Sequence, residues 1–377
     1  MDFAFNEQQE MLRKSARDFL TSEYPETLLR EMVKDESGYT PELWSKMAGM
    51  NWTGLSIPEE YGGIGDFLDL TVVMEEMGRA CLLSPFFSTI VLGASAIIDA
   101  GSDEQKQNFL PDIAEGKLIL TMALTEPSAR YTAESITMKA SPRDGGFVIQ
   151  GTKLFVPDAH STDYLVCVTR TKESKDPRDG ITLFIVDSKT PGISYKPLKT
   201  LAGDKQYEVT FDNVRVSEES VLGKVDKGWP CVERVLEKAA AARCAEMIGG
   251  ARYVLEMTLN YANDRIAFGH PIGAFQAMQH RCADMLVDIE GSKYVTYQAI
   301  WRLNEGLPAA KEVAIAKAIT SQSYRRVVNS AHQVHGAIGF TEDHILHFYT
   351  KRARAYEFSF GDVNYHLDNL ASQLWDS

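Results

Sequence analysis

The stretch Tyr261–Met285, YANDRIAFGHPIGAFQAMQHRCADM, constrains this chain most, because it joins two long helical runs through one short break. Upstream, Leu236, Ala240, Cys244, Met247 and Leu255 recur at roughly helical spacing with few breakers. Downstream, Phe275, Met278, Cys282, Met285 and Ile289 do the same. Phe268-Gly269-His270-Pro271 stops the first helix, and Pro271-Ile272-Gly273 starts the next stretch of chain. The spacing predicts helices over 229–264, 274–304, 310–332 and 342–355, with a last one near 364–375. Long antiparallel helices on short loops make a four-helix bundle. Arg265 and Gln276 stand at the joint. A guanidinium can fork onto a phosphate and an amide can donate or accept, although such residues at helix ends are commonly just solvated.

The rest of the chain reads in two parts. Residues 1–118 are helical: Asn6 can cap a helix with Met11, Leu12, Ala16, Phe19 and Leu20 on one side. Another helix starts after Thr40-Pro41, apolar helices cover Asp69 to Ala100, and one more runs from Asp103 to Ile113. Tyr61-Gly62-Gly63-Ile64-Gly65 is too rich in glycine to be anything but a turn. Residues 119–226 change period. The runs 118–122, 147–149, 164–168, 181–186 and 209–216 are apolar, β-branched or aromatic, with Asp144-Gly145-Gly146 and Asp179-Gly180 at turns. They predict a small antiparallel barrel or sandwich. The fold class is therefore α+β: an N-terminal helical domain (1–118), a central β-domain (119–226) and a C-terminal bundle (227–377).

The 377 residues include 39 basic and 52 acidic side chains, a formal charge of −13, which excludes the basic face of a nucleic-acid or membrane-surface binder. Cys81, Cys167, Cys231, Cys244 and Cys282 have neither metal nor redox spacing and read as free thiols of a reducing compartment. The first twenty residues lack the pattern of a signal peptide, and no apolar run is of membrane-spanning length. The expectation is a cytoplasmic protein without a metal.

Four stretches give the chain a family likeness. Arg265-x-x-Phe268-Gly269-x-x-Ile272-x-x-Phe275-Gln276 is followed some sixty residues later by Gln333-Val334-His335-Gly336-Ala337-Ile338-Gly339-Phe340. Leu124-Thr125-Glu126-Pro127 and Ile57-Pro58-Glu59-Glu60-Tyr61-Gly62-Gly63 precede them. In this order and spacing, over essentially the whole length, the chain resembles the acyl-CoA dehydrogenase family. The resemblance implies FAD bound across a dimer interface, with Arg265, Phe268, Gln276, Gln333 and Gly336 on its ADP part. It puts Leu124, Thr125 and Glu126 at the isoalloxazine ring and Phe155, from Phe155-Val156-Pro157, over it. It also implies a CoA thioester substrate, a homo- or hetero-tetramer, and an electron-transferring flavoprotein as acceptor. The reaction removes the α-proton with a carboxylate while the β-hydrogen leaves as hydride to the flavin.

Three departures from the family pattern matter. Pro157 replaces a hydroxyl and removes one flavin hydrogen bond. Ser128-Ala129-Arg130-Tyr131-Thr132 replaces a run of small residues; Arg130 is either a cation for the CoA phosphates or a solvated surface residue. The glutamate that serves as base falls on Phe360, just before Gly361. The alternative base position of some members, on the long helix before the joint, falls on Ala239. Glu246 lies two turns further, roughly 10 Å along that helix, and serves only if substrate enters differently; otherwise it is an exposed or salt-bridged glutamate. Asp362 and His366 are further candidates, with helix capping the plainer role for Asp362. A flavin site without an evident base resembles one subunit of the heteromeric members, which act on bulky CoA esters such as steroid side chains or dicarboxylates. The readings left open are a dehydrogenase for such an ester, a silent subunit that completes a partner's FAD site, and a member with other CoA-ester chemistry.

Overall fold

The structure, a computed structural model, describes residues 5–375. In chain order the helices are α1 (Glu7–Glu23), α2 (Glu26–Lys34), α3 (Pro41–Gly49), α4 (Phe67–Arg79), α5 (Ser95–Ala100) and α6 (Asp103–Ala114). Eight strands follow: β1 (Leu120–Ala123), β2 (Lys139–Arg143), β3 (Gly146–Pro157), β4 (Tyr164–Arg170), β5 (Ile181–Asp187), β6 (Ile193–Leu198), β7 (Gln206–Ser217) and β8 (Val221–Leu222). Then come α7 (Trp229–Asp264), a small hairpin of β9 (Ile266–Ala267) and β10 (His270–Pro271), α8 (Gln276–Asn304), α9 (Ala310–His335), α10 (Leu346–Phe358) and α11 (Val363–Trp375). The chain divides into two compact units: one takes in the residues up to Arg30, Phe67–Leu82 and those from Ala240 onward, the other Glu31–Asp66 and Leu83–Ala239.

The second unit holds the sheet. Its strands run in the order β6-β7-β3-β2-β4-β5-β8, with β1 beside β4. Most pairs are antiparallel, but β1 runs parallel to β4, and β2 meets β4 in parallel at Lys139. Phe147, Ile149, Cys167, Phe184, Val209 and Phe211 form its core, with the rings of Phe147 and Phe184 edge to face 5.0 Å apart. In the same unit Thr40 caps α3 at Leu43, with Pro41 in the first turn. The segment Phe87–Ala94 is a π-helical turn buried on every side, so its side chains carry no amphipathic signal.

The first unit is helical. Asn6 caps α1 through a full capping box with Gln9, and Ala16 and Leu20 face inward. Met11 does not: it is 65% exposed, because it lies off the face that Gln9, Ala16 and Leu20 share. Helices α4 and α7 cross at glycines. A Cβ on Gly78 would stand 2.0 Å from the Glu246 carbonyl oxygen, and one on Gly249 1.7 Å from that of Glu75. The inward carboxylates of α4 are matched with cations: Glu76 takes a two-pronged contact from Arg17 at 2.7 and 2.9 Å. Glu75 accepts from the Tyr297 hydroxyl at 2.6 Å, with Arg252 at 3.4 Å. Burial drives the Tyr297 phenol well above its ordinary range, reinforced by Glu75. No helix among the described residues is long and apolar enough to cross a membrane.

Candidate active site

In the sheet unit, β1 runs directly into Leu124-Thr125-Glu126-Pro127, of which the first three are buried. The Glu126 carboxylate turns inward. It accepts from the Lys153 ammonium at 2.7 Å, from the backbone amides of Thr137 and Met138 at 2.9 and 3.0 Å, and from the Thr137 hydroxyl. Lys153, fully buried, also donates to the Leu124 carbonyl at 3.0 Å, and the Leu154 amide donates to the Thr125 carbonyl at 2.8 Å. These bonds engage the Glu126 carboxylate and the Leu124 and Thr125 carbonyls of the tripeptide. Burial opposes the charge on Glu126, yet Lys153 and the three donors outweigh it and hold the carboxyl below its usual range. Burial pushes the Lys153 ammonium down, against the pull of Glu126.

Phe155 lies next to this edge on a β-bulge. Lys153 pairs with Val209 and Val156 with Tyr207, so Leu154 and Phe155 together stand opposite Glu208 alone. Phe155 takes φ +54°, a left-handed conformation that costs a residue with a Cβ on the order of 1 kcal/mol, and its ring is 48% exposed. A strained, half-exposed aromatic on this edge suits a flat ring ligand, and these residues fit a flavin. Ala129, the second residue of the departing run, also has positive φ, +54°, where the family run has small residues. Arg130 is exposed, and its carbonyl accepts from the Ser135 hydroxyl at 3.0 Å.

In the helical unit the joint is more ordered than a simple break. Phe268 and Gly269, at φ +54° and +82°, form the two-residue loop between β9 and β10, a turn whose twist suits a hairpin. Phe268 is 93% exposed, edge to face with Phe275 at 6.1 Å. Arg265, just before this hairpin, and Gln276, the first residue of α8, are exposed as well. The stacking of Tyr261 on His335, with ring centroids 4.6 Å apart, brings the end of α7 to the end of α9, where Gln333 and Gly336 lie exposed. Gly336 has φ +63° and ψ −140°, a conformation only glycine holds readily, and a Cβ there would meet open space. Cation, amides and a bare glycine turn form a donor set suited to a pyrophosphate and adenosine.

The two positions on which the resemblance puts the base hold no carboxylate. Ala239 is fully buried; Phe360 is half-buried, with φ +58°. The turn carrying Phe360 is fastened by its carbonyls. His366 Nε2–H donates to the Phe360 carbonyl at 3.0 Å, and the Lys317 ammonium, fully buried, donates to those of Tyr356, Glu357 and Gly361 at 2.9, 3.2 and 3.0 Å. Asp362 caps α11 by accepting from the Tyr365 amide at 2.8 Å. Glu357 is shared by Arg325 and Arg354 at 2.9 and 3.1 Å. Glu246 is buried and bonded to Arg243, and burial raises its carboxyl against the opposing pull of Arg243 and Arg352. Of the two structural roles considered for it, the salt-bridged one holds and the exposed one does not. The Arg243 guanidinium lies 4.1 Å from the Tyr356 ring centroid and 5.8 Å from that of Phe360. Arg243 was not among the sequence candidates, though it stands one turn from Ala239 on the same helix face.

A cleft of about 310 Å³ in the helical unit, lined among others by Tyr24, Arg79, Tyr253 and Tyr349, includes none of the candidate residues. All five cysteines are free, and no group of three or more His, Cys, Asp or Glu among the described residues is placed to hold a metal.

Fold and site together define a flavoprotein that binds FAD, an oxidoreductase acting on CH–CH donors. Family models place it: the acyl-CoA dehydrogenase N-terminal domain matches residues 6–117, the middle domain 121–214 and the C-terminal domain 226–375. The chain belongs to the acyl-CoA dehydrogenase family. It is 32% identical over 347 residues to the caffeyl-CoA reductase–Etf complex subunit CarC of Acetobacterium woodii, covering 90% of this chain and 91% of that one. It superposes on butyryl-CoA dehydrogenase from Megasphaera elsdenii with a TM-score of 0.92 at 27% identity, over the full length of both. The ChsE4–ChsE5 complex from Mycobacterium tuberculosis matches at a TM-score of 0.91 and 27% identity, again over both full lengths.

Proposed function

We propose that this protein catalyses the FAD-dependent interconversion of a bulky or unusual acyl-CoA thioester with its 2,3-unsaturated form, as one subunit of a heteromeric enzyme. One observation carries the subunit role. Phe360 and Ala239 stand at both base positions, and the neighbouring carboxylates Glu246, Glu357 and Asp362 are committed to Arg243, to Arg325 and Arg354, and to a helix cap. A partner chain of the same fold supplies the carboxylate. The likeness to one half of the ChsE4–ChsE5 complex supports this reading.

FAD, when bound, supplies the hydride acceptor. Thr125 and the main chain of Leu124 and Glu126 bond the ring edge, and Phe155 covers the ring and excludes water. Arg265, Phe268, Gln276, Gln333 and Gly336 bind the ADP part of the cofactor of a neighbouring subunit, within a tetramer. The exposed apolar side chains Phe268, Leu286, Val287 and Phe340, between 50% and 93% accessible, suit such a subunit contact. Arg130 meets the CoA phosphates. Electron-transferring flavoprotein is the redox partner, in keeping with the Etf-complexed relative. The three-domain layout, 1–118, 119–226 and 227–377, and a cytoplasmic location belong to the same proposal.

The test is dye reduction with a panel of CoA esters, by the purified yellow protein alone and mixed with a family homologue encoded beside it. Turnover only in the mixture supports the reading; turnover alone with a simple linear ester overturns the subunit role. Colourless protein that takes up no FAD on reconstitution overturns the whole reading.

A further inference from the structure

We propose that the buried Lys153–Glu126 pair is a positioning device that sets both flavin-facing segments of the sheet unit at once, and so tunes the flavin. The inference rests on the reading that Leu124–Glu126 and Phe155 face the isoalloxazine.

Lys153 immediately precedes the two bulge residues, so its side chain fixes the point from which Phe155 leaves the strand. Its ammonium bonds the Leu124 carbonyl at 3.0 Å and the Glu126 carboxylate at 2.7 Å, taking both ends of the tripeptide on the other flavin-facing segment. The peptide between them is held from the same strand, by the Leu154 amide on the Thr125 carbonyl at 2.8 Å. Glu126 in turn is anchored to the 137–138 main chain at 2.9 and 3.0 Å. Every member of this network is satisfied, as a buried charge requires. A hydrophobic pair of similar volume would fill the same space, commonly with equal or better stability. Filling alone therefore does not account for the two charges, whereas fixing the Leu124–Glu126 main chain and the Phe155 ring in one relative placement does.

The position also explains the strained Phe155. A left-handed residue persists only when its surroundings over-determine it. On one side the bulge is tied through Lys153 to Glu126 and Leu124, and on the other Val156 packs into the sheet core.

The experiment compares wild type, Lys153→Met, Glu126→Gln and the double variant Lys153→Met/Glu126→Met. Four readouts are taken: FAD affinity by fluorescence titration, the visible flavin spectrum, the flavin potential, and hydrogen exchange at the Leu154 amide in apoprotein. Lys153→Met is expected to weaken FAD about tenfold or more, to alter the spectrum and potential, and to speed exchange at Leu154. The double variant regains thermal stability while keeping those flavin changes. If Lys153→Met does not fold, Glu126→Gln decides by the same readouts. Lowered melting temperature with unchanged affinity, spectrum and potential means the pair is structural only, and overturns the inference. Wild type that binds no FAD overturns the flavin reading itself, a separate outcome.

Discussion

The Lys317 ammonium donates to the Gly361 carbonyl at 3.0 Å across a fully buried gap between α9 and the turn before α11. With the carbonyls of Tyr356 and Glu357 it closes the C-terminal end of α10, where a cation complements the helix dipole. Burial nevertheless pushes this ammonium down to about 8. The unfolded chain therefore holds more protons than the folded one between about 8 and the ordinary lysine value, and stability rises with pH across that window.

Urea unfolding should show it. From pH 7.5 to 10, wild type should gain about 2 kcal/mol relative to Lys317→Met, the variant lacking the titrating group. Parallel pH dependences in the two proteins would mean that burial does not lower the Lys317 ammonium.

His366 acts in the acid range. Burial, helped by Lys317, lowers its imidazole to about 4, so it folds neutral with Nε2–H on the Phe360 carbonyl. Below the ordinary histidine value the unfolded state gains the proton first, and stability is lost as pH falls from about 6.5 to 4. On the order of 3 kcal/mol is involved. His366→Gln should flatten that acid limb by about one proton; an unchanged limb would put the sensitivity elsewhere.

Glu246→Gln separates a structural carboxylate from a reacting one. Removing the charge from Arg243 should lower stability by about 1–3 kcal/mol. Turnover of the loaded enzyme should change less than tenfold. A loss on the order of a hundredfold, with FAD retained and folding intact, would make Glu246 the base.

The crossing of α4 and α7 predicts the most damaging small change. Gly78→Ala or Gly249→Ala puts a methyl about 2 Å or less from a backbone oxygen of the other helix. The helices must separate, at about 3 kcal/mol or more. Chemical unfolding of either variant with a midpoint like wild type would contradict the close approach.

Much of this was legible because the signals are local. The helices of the C-terminal third follow apolar spacing, so their ends lie within a few residues of those predicted, and Asn6 and Thr40 cap α1 and α3 as their chemistry suggests. The short helix α2 escaped, whereas 87–94 lies within the run read as apolar helices and only its π-helical winding went unread, because a segment buried on all sides has no polar face. Lys153 was readable in principle. Along β3, Phe147, Ile149 and Lys153 share the inward face, and a lysine there calls for a carboxylate. Its partner Glu126, twenty-seven residues away, was masked by the family motif it belongs to. Arg243 gave no such sign, because its rings, Tyr356 and Phe360, come from the far end of the chain.

The turn at Phe360 is fastened through main-chain oxygens, with Lys317 and His366 as the donors. Whatever side chain occupies position 360 thus inherits a fixed backbone without having to build it. On the function proposed above, a copy of this gene gives up its reacting group, or takes one back, by a single amino-acid replacement that leaves the scaffold standing. On that proposal, paired enzymes in which one chain keeps the acid and the other keeps only the cofactor seat are a short evolutionary step from an enzyme of identical subunits.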